Sequence, residues 1–278
     1  MNSNPIRGTI ELARPLNVLI AMASIAVAVL LAGGGTADIP SLLIACGVGG
    51  LVAAGANAIN DAFDVAIDRV NRPDRPIPRG AVTDRGARLA WIAFSVCGIL
   101  LNLFLHSAAF WIATAAVAAL FAYSAYLKRT VLGGNILVAG MTGMAFIYGG
   151  VVAGNVKAAV IPAVFAFLIN LAREVIKDVE DREGDARDGA RTLPVRFGLG
   201  PSRVVATITL VGLITATILP YATGPYGSMY GILIIPVDGI LVVVLVGVWR
   251  EDTAARFRIL STLLKIAMVV GLAAIYFG

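Results

Sequence analysis

Charge is scarce in this sequence of 278 residues. Charged residues make up 14% of it and hydrophobic residues 59%, whereas a soluble domain has about 25% charged and about 45–50% apolar residues. This composition excludes an ordinary soluble enzyme, and it is the reverse of what a disordered chain needs. Two cysteines exclude a disulfide framework, and a single histidine excludes a zinc site built on histidines.

Long apolar segments account for the hydrophobic excess. About 20 mostly apolar residues cross about 30 Å of hydrocarbon, and nine segments are candidate spans. They cover approximately residues 16–34, 41–60, 89–105, 108–127, 132–152, 158–171, 204–221, 230–249 and 259–277. Glycine and alanine are frequent in them, which favours close helix packing where lipid provides no hydrophobic drive for association. The sequence therefore predicts an all-α, polytopic membrane protein with nine transmembrane helices.

Basic residues fall almost entirely on one side of these spans. Of the 22 Lys and Arg residues, nearly all lie at the N-terminus or in the segments after spans two, four, six and eight, while Lys157 lies on the other side. Because cytoplasmic loops are enriched in Lys and Arg, we expect a cytoplasmic N-terminus and a C-terminus outside the cell membrane. Topology thus explains the net charge of +5, and no nucleic-acid partner is expected.

Acidic residues cluster in two matched segments that follow even-numbered spans. The matching residues are Asn60, Asp61, Asp64 and Asp68 in the first segment and Asp178, Asp181 and Asp185 in the second. In both, the three aspartates are spaced i, i+3 and i+7, and an R-x-x-P stretch follows at residues 75–78 and 191–194. This predicts a single domain over residues 1–278 with two pseudo-repeat halves, about 1–130 and 131–278, or two halves adapted to one use.

The spacing of the aspartates indicates metal chemistry. Residues at i, i+3 and i+7 share one helical face, so each segment predicts a stripe of three carboxylates, and two such stripes can face each other across a bundle. Mg²⁺ typically binds one or two carboxylates, waters and substrate phosphates. Basic side chains nearby suit phosphate oxygens; these are Arg72, Arg75, Arg79, Lys128 and Lys177. We therefore predict a Mg²⁺–diphosphate site; for one segment alone, a solvated acidic loop would fit as well.

These motifs resemble those of the UbiA superfamily of intramembrane prenyltransferases. Its pattern is N-D-x-x-D-x-x-x-D in the first half and D-x-x-D-x-x-x-D in the second, here residues 60–68 and 178–185. The resemblance covers the whole chain, including the number of spans. It implies an all-α bundle around a central cavity, with a cytoplasmic cap formed by the acidic loops. It also implies that Mg²⁺ bound to the carboxylates holds the diphosphate of a prenyl donor, with the active site on the cytoplasmic side.

The flanking segments at residues 11–17, 71–78 and 173–178 resemble one branch of that superfamily, which makes archaeal ether lipids. Its members transfer a geranylgeranyl group from geranylgeranyl diphosphate to the hydroxyl of geranylgeranylglyceryl phosphate, a lipid acceptor, and so form the second ether bond. Chlorophyll synthases share the R-P-I-P stretch, so that stretch alone does not decide the branch. The alternative is a UbiA-type enzyme with an aromatic, quinone-precursor acceptor.

The resemblance also suggests roles for individual residues. Asp64, Asp68, Asp181 and Asp185 are the expected metal ligands, with Asn60, Asp61 and Asp178 beside them. Diphosphate is expected to contact Lys128, Lys177, Arg72 and Arg75, with Arg79 nearby. Arg14 and Asn17 are candidates for the acceptor phosphate. Tyr123 is a candidate to stabilise the allylic cation or to orient the donor, although an interfacial tyrosine fits equally well. No residue stands out as the base for the acceptor hydroxyl; a carboxylate or the released diphosphate can serve.

Two other classes of protein were weighed against this enzyme. A cation transporter is disfavoured because the acids lie at span ends beside arginines, and no span-centre acid occurs in both halves. A purely structural membrane protein leaves the paired motifs unexplained. Asp238 falls near the start of span eight, where it is either a polar contact inside the bundle or a residue near the outer interface. The neighbouring Pro236 and Gly239 favour the second interpretation, because they suggest a broken helix end.

Overall fold

The structure, a computed structural model, describes residues 5–33, 38–250 and 252–278. These residues form twelve α-helices. They are α1 (Pro5–Ala13), α2 (Pro15–Gly33), α3 (Ile39–Phe63), α4 (Val65–Asn71), α5 (Asp84–Leu101), α6 (Ser107–Ala122), α7 (Gly133–Val152), α8 (Val156–Arg187), α9 (Leu193–Phe197), α10 (Leu199–Thr223), α11 (Ser228–Gly247) and α12 (Ala254–Phe277). A 3₁₀ turn, Asn102–Phe104, continues α5, and a π-helical turn, Tyr123–Leu127, continues α6.

Nine helices in the described ranges are long and apolar enough to cross a membrane. They are α2, α3, α5 and α6 with their continuing turns, α7, α8, α10, α11 and α12. The prediction of an all-α chain with nine transmembrane helices is confirmed. The end predicted for the first span, Gly34, lies outside the described residues.

The sixth span differs most from its predicted bounds. Its apolar run ends at Leu171, but α8 continues to Arg187 and has 32 residues, which is about 48 Å at 1.5 Å per residue. Hydropathy falls where the charged residues begin, yet Glu, Lys and Arg are good helix formers, so the backbone hydrogen bonds continue. The second acidic segment is therefore part of a helix that is longer than the hydrocarbon layer, and it is not the acidic loop that the resemblance implied.

Several helices begin with a side-chain cap. Asp38 Oδ2 accepts hydrogen bonds from the Ser41 amide (3.0 Å) and hydroxyl (2.6 Å) at the start of α3. These bonds lower the pKa of the Asp38 carboxyl. Thr83 Oγ1 accepts from the Gly86 amide (3.0 Å) at the start of α5. Each cap satisfies an amide that has no partner within the helix, so these starts are specified locally by sequence.

The chain divides into two compact units. The first comprises residues 1–127 and 145–159, and the second comprises residues 128–144 and 160–278. In the first unit, α7 approaches α2 closely: a Cβ on Gly149 would lie 2.6 Å from the Cβ of Ala28. The buried Tyr148 hydroxyl next to this contact donates to Asn102 Oδ1 (2.8 Å), so the polar groups in this apolar core are paired. The pseudo-repeat itself stays a prediction.

In the second unit, α11 is continuous through Pro236 and Gly239. The expectation of a broken helix end there is wrong, and Asp238 lies in the middle of the helix. Thr217 donates from Oγ1 to Asp238 Oδ1 (2.9 Å), and the fully buried Tyr230 donates to the Thr217 carbonyl (2.8 Å). Proline is tolerated within membrane helices because neighbouring groups satisfy the carbonyls it leaves unpaired.

Candidate functional site

The first acidic segment lies where α3 ends and α4 begins. Asp64 separates the two helices with φ −91° and ψ 1°, but its amide still donates to the Asn60 carbonyl (3.0 Å), and the Asp68 amide donates to the Asp64 carbonyl (2.8 Å). The aspartates therefore remain about one helical turn apart across the interruption. Their residues are all buried, with exposures of 3% for Asp61, 5% for Asp64 and 4% for Asp68.

Two arginines from other segments compensate part of this buried charge. Arg75 Nη1 donates to Asp68 Oδ2 (2.5 Å) and to Asp61 Oδ1 (3.2 Å), and Arg14 Nη2 donates to Asp61 Oδ1 as well. Arg14 lies between α1 and α2 with φ 53°, a left-handed conformation that costs a non-glycine residue about 1–2 kcal/mol. A buried carboxylate without a partner is unfavourable, so these pairs account for the close approach of both arginines.

A buried acceptor in the same segment lacks a donor. Asn60 Nδ2 donates to Asp64 Oδ2 (3.0 Å), but Asn60 Oδ1 is buried and has no hydrogen-bond partner in the part of the chain that the structure describes. An amide oxygen beside carboxylates is a suitable ligand for a hard divalent cation. The orphaned oxygen of Asn60 therefore fits a cation at this segment.

The balance of charge at Asp68 agrees with that fit. Burial raises the pKa of the Asp68 carboxyl above its usual value. The hydrogen bond from Arg75 opposes this shift, whereas the charges of Asp64 and Asp61 add to it. The cluster thus favours additional positive charge, which a proton or a metal cation can supply.

The second acidic segment lies on the uninterrupted α8. Asp178 Oδ2 accepts a hydrogen bond from Asn135 Nδ2 on α7 (2.8 Å), and Asp185 Oδ2 accepts one from the buried Thr192 hydroxyl (3.3 Å). Asp181 lies between them on the helix and interacts electrostatically with Asp185. Asn135 and Thr192 were not found by sequence reasoning; the signal for Asn135 is a polar side chain inside an otherwise apolar span.

Two predicted diphosphate residues lie near the end of this segment. Lys128 and Lys177 both interact electrostatically with Asp185. The segment after the π-helical turn is held to the end of α8, because Arg129 Nη2 pairs with Asp188 Oδ2 (2.9 Å) and the Arg191 amide donates to the Arg129 carbonyl (3.0 Å). Lys128 therefore belongs to the surroundings of Asp185, although it lies far from it in sequence.

For each of the remaining predicted residues, the structure gives a position or a local contact. Arg79 pairs with Glu11, and the hydrogen bond from Arg79 lowers the pKa of the Glu11 carboxyl. Arg72 is exposed after α4. Asn17 lies in the first turn of α2, where its amide donates to the Arg14 carbonyl (2.9 Å). Tyr123 begins the π-helical turn, a local widening that is frequent at functional sites. The roles expected for these residues stay predictions.

A metal at these segments would need ligands besides carboxylates. Among the described residues, no three acidic, histidine or cysteine side chains converge closely enough to hold a metal ion by themselves. This lack of a complete protein ligand set agrees with the coordination preference of Mg²⁺, which retains water ligands and binds substrate phosphates in addition to one or two carboxylates. The donor set therefore suits a cation that arrives with a phosphorylated ligand.

Comparison with known proteins places these features in a family. A sequence profile described as the UbiA prenyltransferase family matches residues 21–269. The chain is 38% identical over 273 residues to the digeranylgeranylglyceryl phosphate synthase of Methanopyrus kandleri, covering 97% of this chain and 98% of the relative. It is 40% identical over 269 residues to the synthase of the same name from Halobacterium salinarum, covering 95% and 97%.

Two solved structures have the same fold. One, from work on digeranylgeranylglyceryl phosphate synthase in membranes, has a TM-score of 0.82 at 31% identity and covers 99% of this chain and 98% of its own. The other is a UbiA homologue from Archaeoglobus fulgidus bound to GPP and Mg²⁺, with a TM-score of 0.75 at 18% identity, covering 96% and 99%. At that identity the second structure shows the fold alone.

Proposed function

The chain belongs to the UbiA prenyltransferase family, and we propose that it transfers a geranylgeranyl group from geranylgeranyl diphosphate to geranylgeranylglyceryl phosphate. The product carries the second ether bond of an archaeal membrane lipid. The full-length relatives at 38% and 40% identity are named for that product, which supports the proposal over an aromatic acceptor. The structural observation that supports a metal-bound diphosphate donor is the buried group of three aspartates beside the Asn60 oxygen, which has no partner among the described residues.

The proposed reaction depends on Mg²⁺. We propose Asp64 and Asp68 with Asn60 in the first segment, and Asp181 and Asp185 in the second, as its ligands; Asp61 and Asp178 lie beside them. When bound, Mg²⁺ neutralises charge that develops on the diphosphate leaving group. The UbiA homologue of Archaeoglobus fulgidus, which shares this fold, is bound to Mg²⁺ together with GPP.

Four basic residues are proposed to bind the donor diphosphate. They are Arg72, Arg75, Lys128 and Lys177, with Arg79 nearby. Arg75 can bind an additional oxyanion while it contacts the aspartates, because a guanidinium carries five N–H donors. By the same reasoning, Arg14 can keep its contact with Asp61 and bind the acceptor phosphate together with Asn17.

The proposed transfer exchanges one carbon–oxygen bond for another. The bond between C1 of the donor and its diphosphate breaks, the acceptor hydroxyl oxygen bonds to C1, and the hydroxyl proton leaves. The apolar helices exclude water, which would otherwise capture the allylic cation. We propose that Tyr123 stabilises this cation through its ring, since aromatic faces attract cations.

The protein is a multi-pass membrane protein. We propose that its N-terminus and active site are cytoplasmic and its C-terminus lies outside. The distribution of Lys and Arg supports this orientation, and it places the acidic segments on the side where a water-soluble metal and a diphosphate are available.

A direct assay tests this function. The protein in detergent or nanodiscs is given radiolabelled geranylgeranyl diphosphate and Mg²⁺ with either geranylgeranylglyceryl phosphate or an aromatic acid. We expect an ether lipid from the first acceptor, no product from the second, and no product after EDTA. Prenylation of the aromatic acid alone, or transfer that persists in EDTA, would overturn the proposal.

A further inference from the structure

Helix α8 carries a glutamate in line with its aspartates that no expected role uses. A polar stripe runs along this helix with spacings of four, four, three and four residues; its members are Asn170, Glu174, Asp178, Asp181 and Asp185. Such spacings keep side chains on one helical face. Glu174 therefore lies on the face of the second acidic segment, one turn nearer to the apolar part of the helix.

Glu174 is partly buried and differs from its neighbours in how it is paired. Asn170 donates to Thr142 on α7 (2.9 Å), and Asp178 accepts from Asn135 on α7 (2.8 Å). Glu174 Oε1, between these two levels, accepts instead from Nη1 of the adjacent Arg173 (2.7 Å). The side chains of Glu174 and Arg173 are 14% and 18% exposed. The stripe thus contains a partly buried carboxylate that is held by its own helix and, among the described residues, does not join α8 to α7.

The guanidinium of Arg173 is itself incompletely bonded. Its Nε is buried and has no hydrogen-bond partner among the described residues. An unmet buried donor is unfavourable, so an additional acceptor at Arg173 Nε would be stabilising. The pair is therefore arranged as a carboxylate with a fixed orientation next to a cation with spare donor capacity.

The position of Glu174 along α8 suits the acceptor alcohol. It lies four residues from Asp178, roughly 6 Å along the helix axis, and three residues after the apolar run ends at Leu171. The reacting carbon of the donor is attached directly to the diphosphate, and the attacking oxygen must come within about 3–3.5 Å of it. The group that binds this oxygen must therefore lie about one helical turn from the residues that bind the diphosphate, towards the apolar part of α8. Glu174 lies at that position.

We propose that Glu174 is the catalytic base for the acceptor hydroxyl, an inference that rests on the proposed function. The Glu174 carboxylate accepts a hydrogen bond from the hydroxyl. As the oxygen bonds to C1 and the diphosphate departs, the proton passes to Glu174, from which it returns to solvent or to the released diphosphate. No oxidant or further reactant is needed.

A carboxylate is basic enough for this step. An alcohol oxygen that has bonded to an allylic cation becomes strongly acidic, so its proton needs only a correctly placed acceptor. Arg173 orients the carboxylate, which makes Arg173 a positioning residue. In the proposed function Asp181 and Asp185 bind the metal, and Asp178 beside them accepts a hydrogen bond from an amide of α7. Glu174, by contrast, is left for the alcohol.

The same helix provides a matched control. Glu180 is also a partly buried glutamate paired with an arginine: its side chain is 11% exposed, and it accepts from Arg258 Nε (2.9 Å) and Ser261 Oγ (3.2 Å) on α12. It lies off the polar stripe, and its partner Arg258 is more exposed (72%) than Arg173. Glu180→Gln therefore removes a glutamate of similar exposure and its arginine contact from α8 without removing the proposed base.

The experiment compares Glu174→Gln, Glu174→Asp and Glu180→Gln in the full-length protein. Two quantities are measured: the Mg²⁺-dependent affinity for geranylgeranyl thiodiphosphate, a donor analogue that resists ionisation, and kcat for ether formation. For Glu174→Gln we expect analogue affinity within about twofold of wild type and kcat lower by about 10²-fold or more, the usual contribution of a general base. We expect Glu174→Asp to recover part of kcat and Glu180→Gln to stay within about threefold.

Three results would overturn the proposal. They are a kcat for Glu174→Gln near that of wild type, a loss of analogue affinity that accompanies its loss of kcat, and an equal loss of kcat in Glu180→Gln. The second result would show that Glu174 helps to form the donor site. If wild type itself makes no ether lipid, the proposed function fails, and that outcome is distinct from all three.

Discussion

The two acidic segments share one spacing of aspartates but are built differently. In the first, the helix is interrupted at Asp64, and two arginines outside the motif contact Asp61 and Asp68. In the second, α8 is continuous, and Asp178 and Asp185 accept hydrogen bonds from an amide and a hydroxyl. The same motif therefore has arginines in direct contact in one half of the chain, and neutral donors with lysines nearby in the other.

This difference has a consequence for binding. Arginine already offsets part of the negative charge of the first segment, and the same arginines can contact a diphosphate directly. The second segment has lysines nearby, which act as flexible point charges. We therefore expect the first segment to depend more on its arginines for stability, and the second to depend more on the arriving metal.

The largest expected effect comes from removing one aspartate of either segment. We expect Asp64→Ala and Asp181→Ala each to lower ether formation by about 10³-fold, because each removes stabilisation of the leaving group. Activity with Mg²⁺ and geranylgeranyl diphosphate measures this effect, and the Tm verifies folding. The exposed acids Asp74 and Glu183 provide controls as Asp74→Asn and Glu183→Gln. Full activity of either alanine variant would reject the metal assignment.

The next-largest expected effect is on the free energy of unfolding, and it concerns the arginine contacts of the first segment. Arg75 bridges Asp61 and Asp68 and its side chain is 19% exposed, so Arg75→Gln removes the arginine contact of the buried Asp68, whereas Asp61 keeps its contact with Arg14. We expect a loss of about 2–3 kcal/mol in the free energy of unfolding, somewhat below the loss for a fully buried pair. Denaturant titration in detergent measures it, and Arg75→Lys should recover part. An unchanged unfolding midpoint for Arg75→Gln would contradict the compensation described for the first segment.

A smaller effect is expected at the neutral donors of the second segment. Asn135→Leu removes the amide that donates to Asp178, which should cost about 1–3 kcal/mol. Loss of a residue that orients a metal ligand typically weakens metal affinity about 10–100-fold. The Mg²⁺ concentration for half-maximal activity should therefore rise. If it stays at the wild-type value, Asp178 does not assist metal binding through this contact.

The smallest effect is expected for the exposed pair between Arg79 and Glu11. Exposed ion pairs contribute little to stability because solvent screens them, so Glu11→Gln should leave the Tm nearly unchanged. Arg79→Gln should also leave the Tm nearly unchanged but should raise KM for the donor if Arg79 helps to bind diphosphate. Donor titrations of the two variants separate these roles, and an equal KM in both would remove Arg79 from the site.

The sequence predicted the parts of this protein that have a local signal. Nine apolar runs and the spacing of the aspartates define the membrane helices and the two segments. The helical stripe predicted for the second segment agrees with α8, but hydropathy ends the span too early because it reports burial in lipid and not helix formation. The pairing of Arg14 with Asp61 and of Asn135 with Asp178 depends on residues brought together by folding. The favoured interface position of Asp238 is wrong because Pro236 does not interrupt α11, and the alternative of a polar contact agrees with its bond to Thr217.

The most direct test of the central claim is the Mg²⁺-dependent affinity for geranylgeranyl thiodiphosphate in wild type, Asp64→Asn, Asp181→Asn and the double variant. If both segments serve one metal-bound diphosphate, each single variant loses most of this affinity, and the double variant is little weaker than the weaker single one. Wild-type affinity in either single variant would contradict the account.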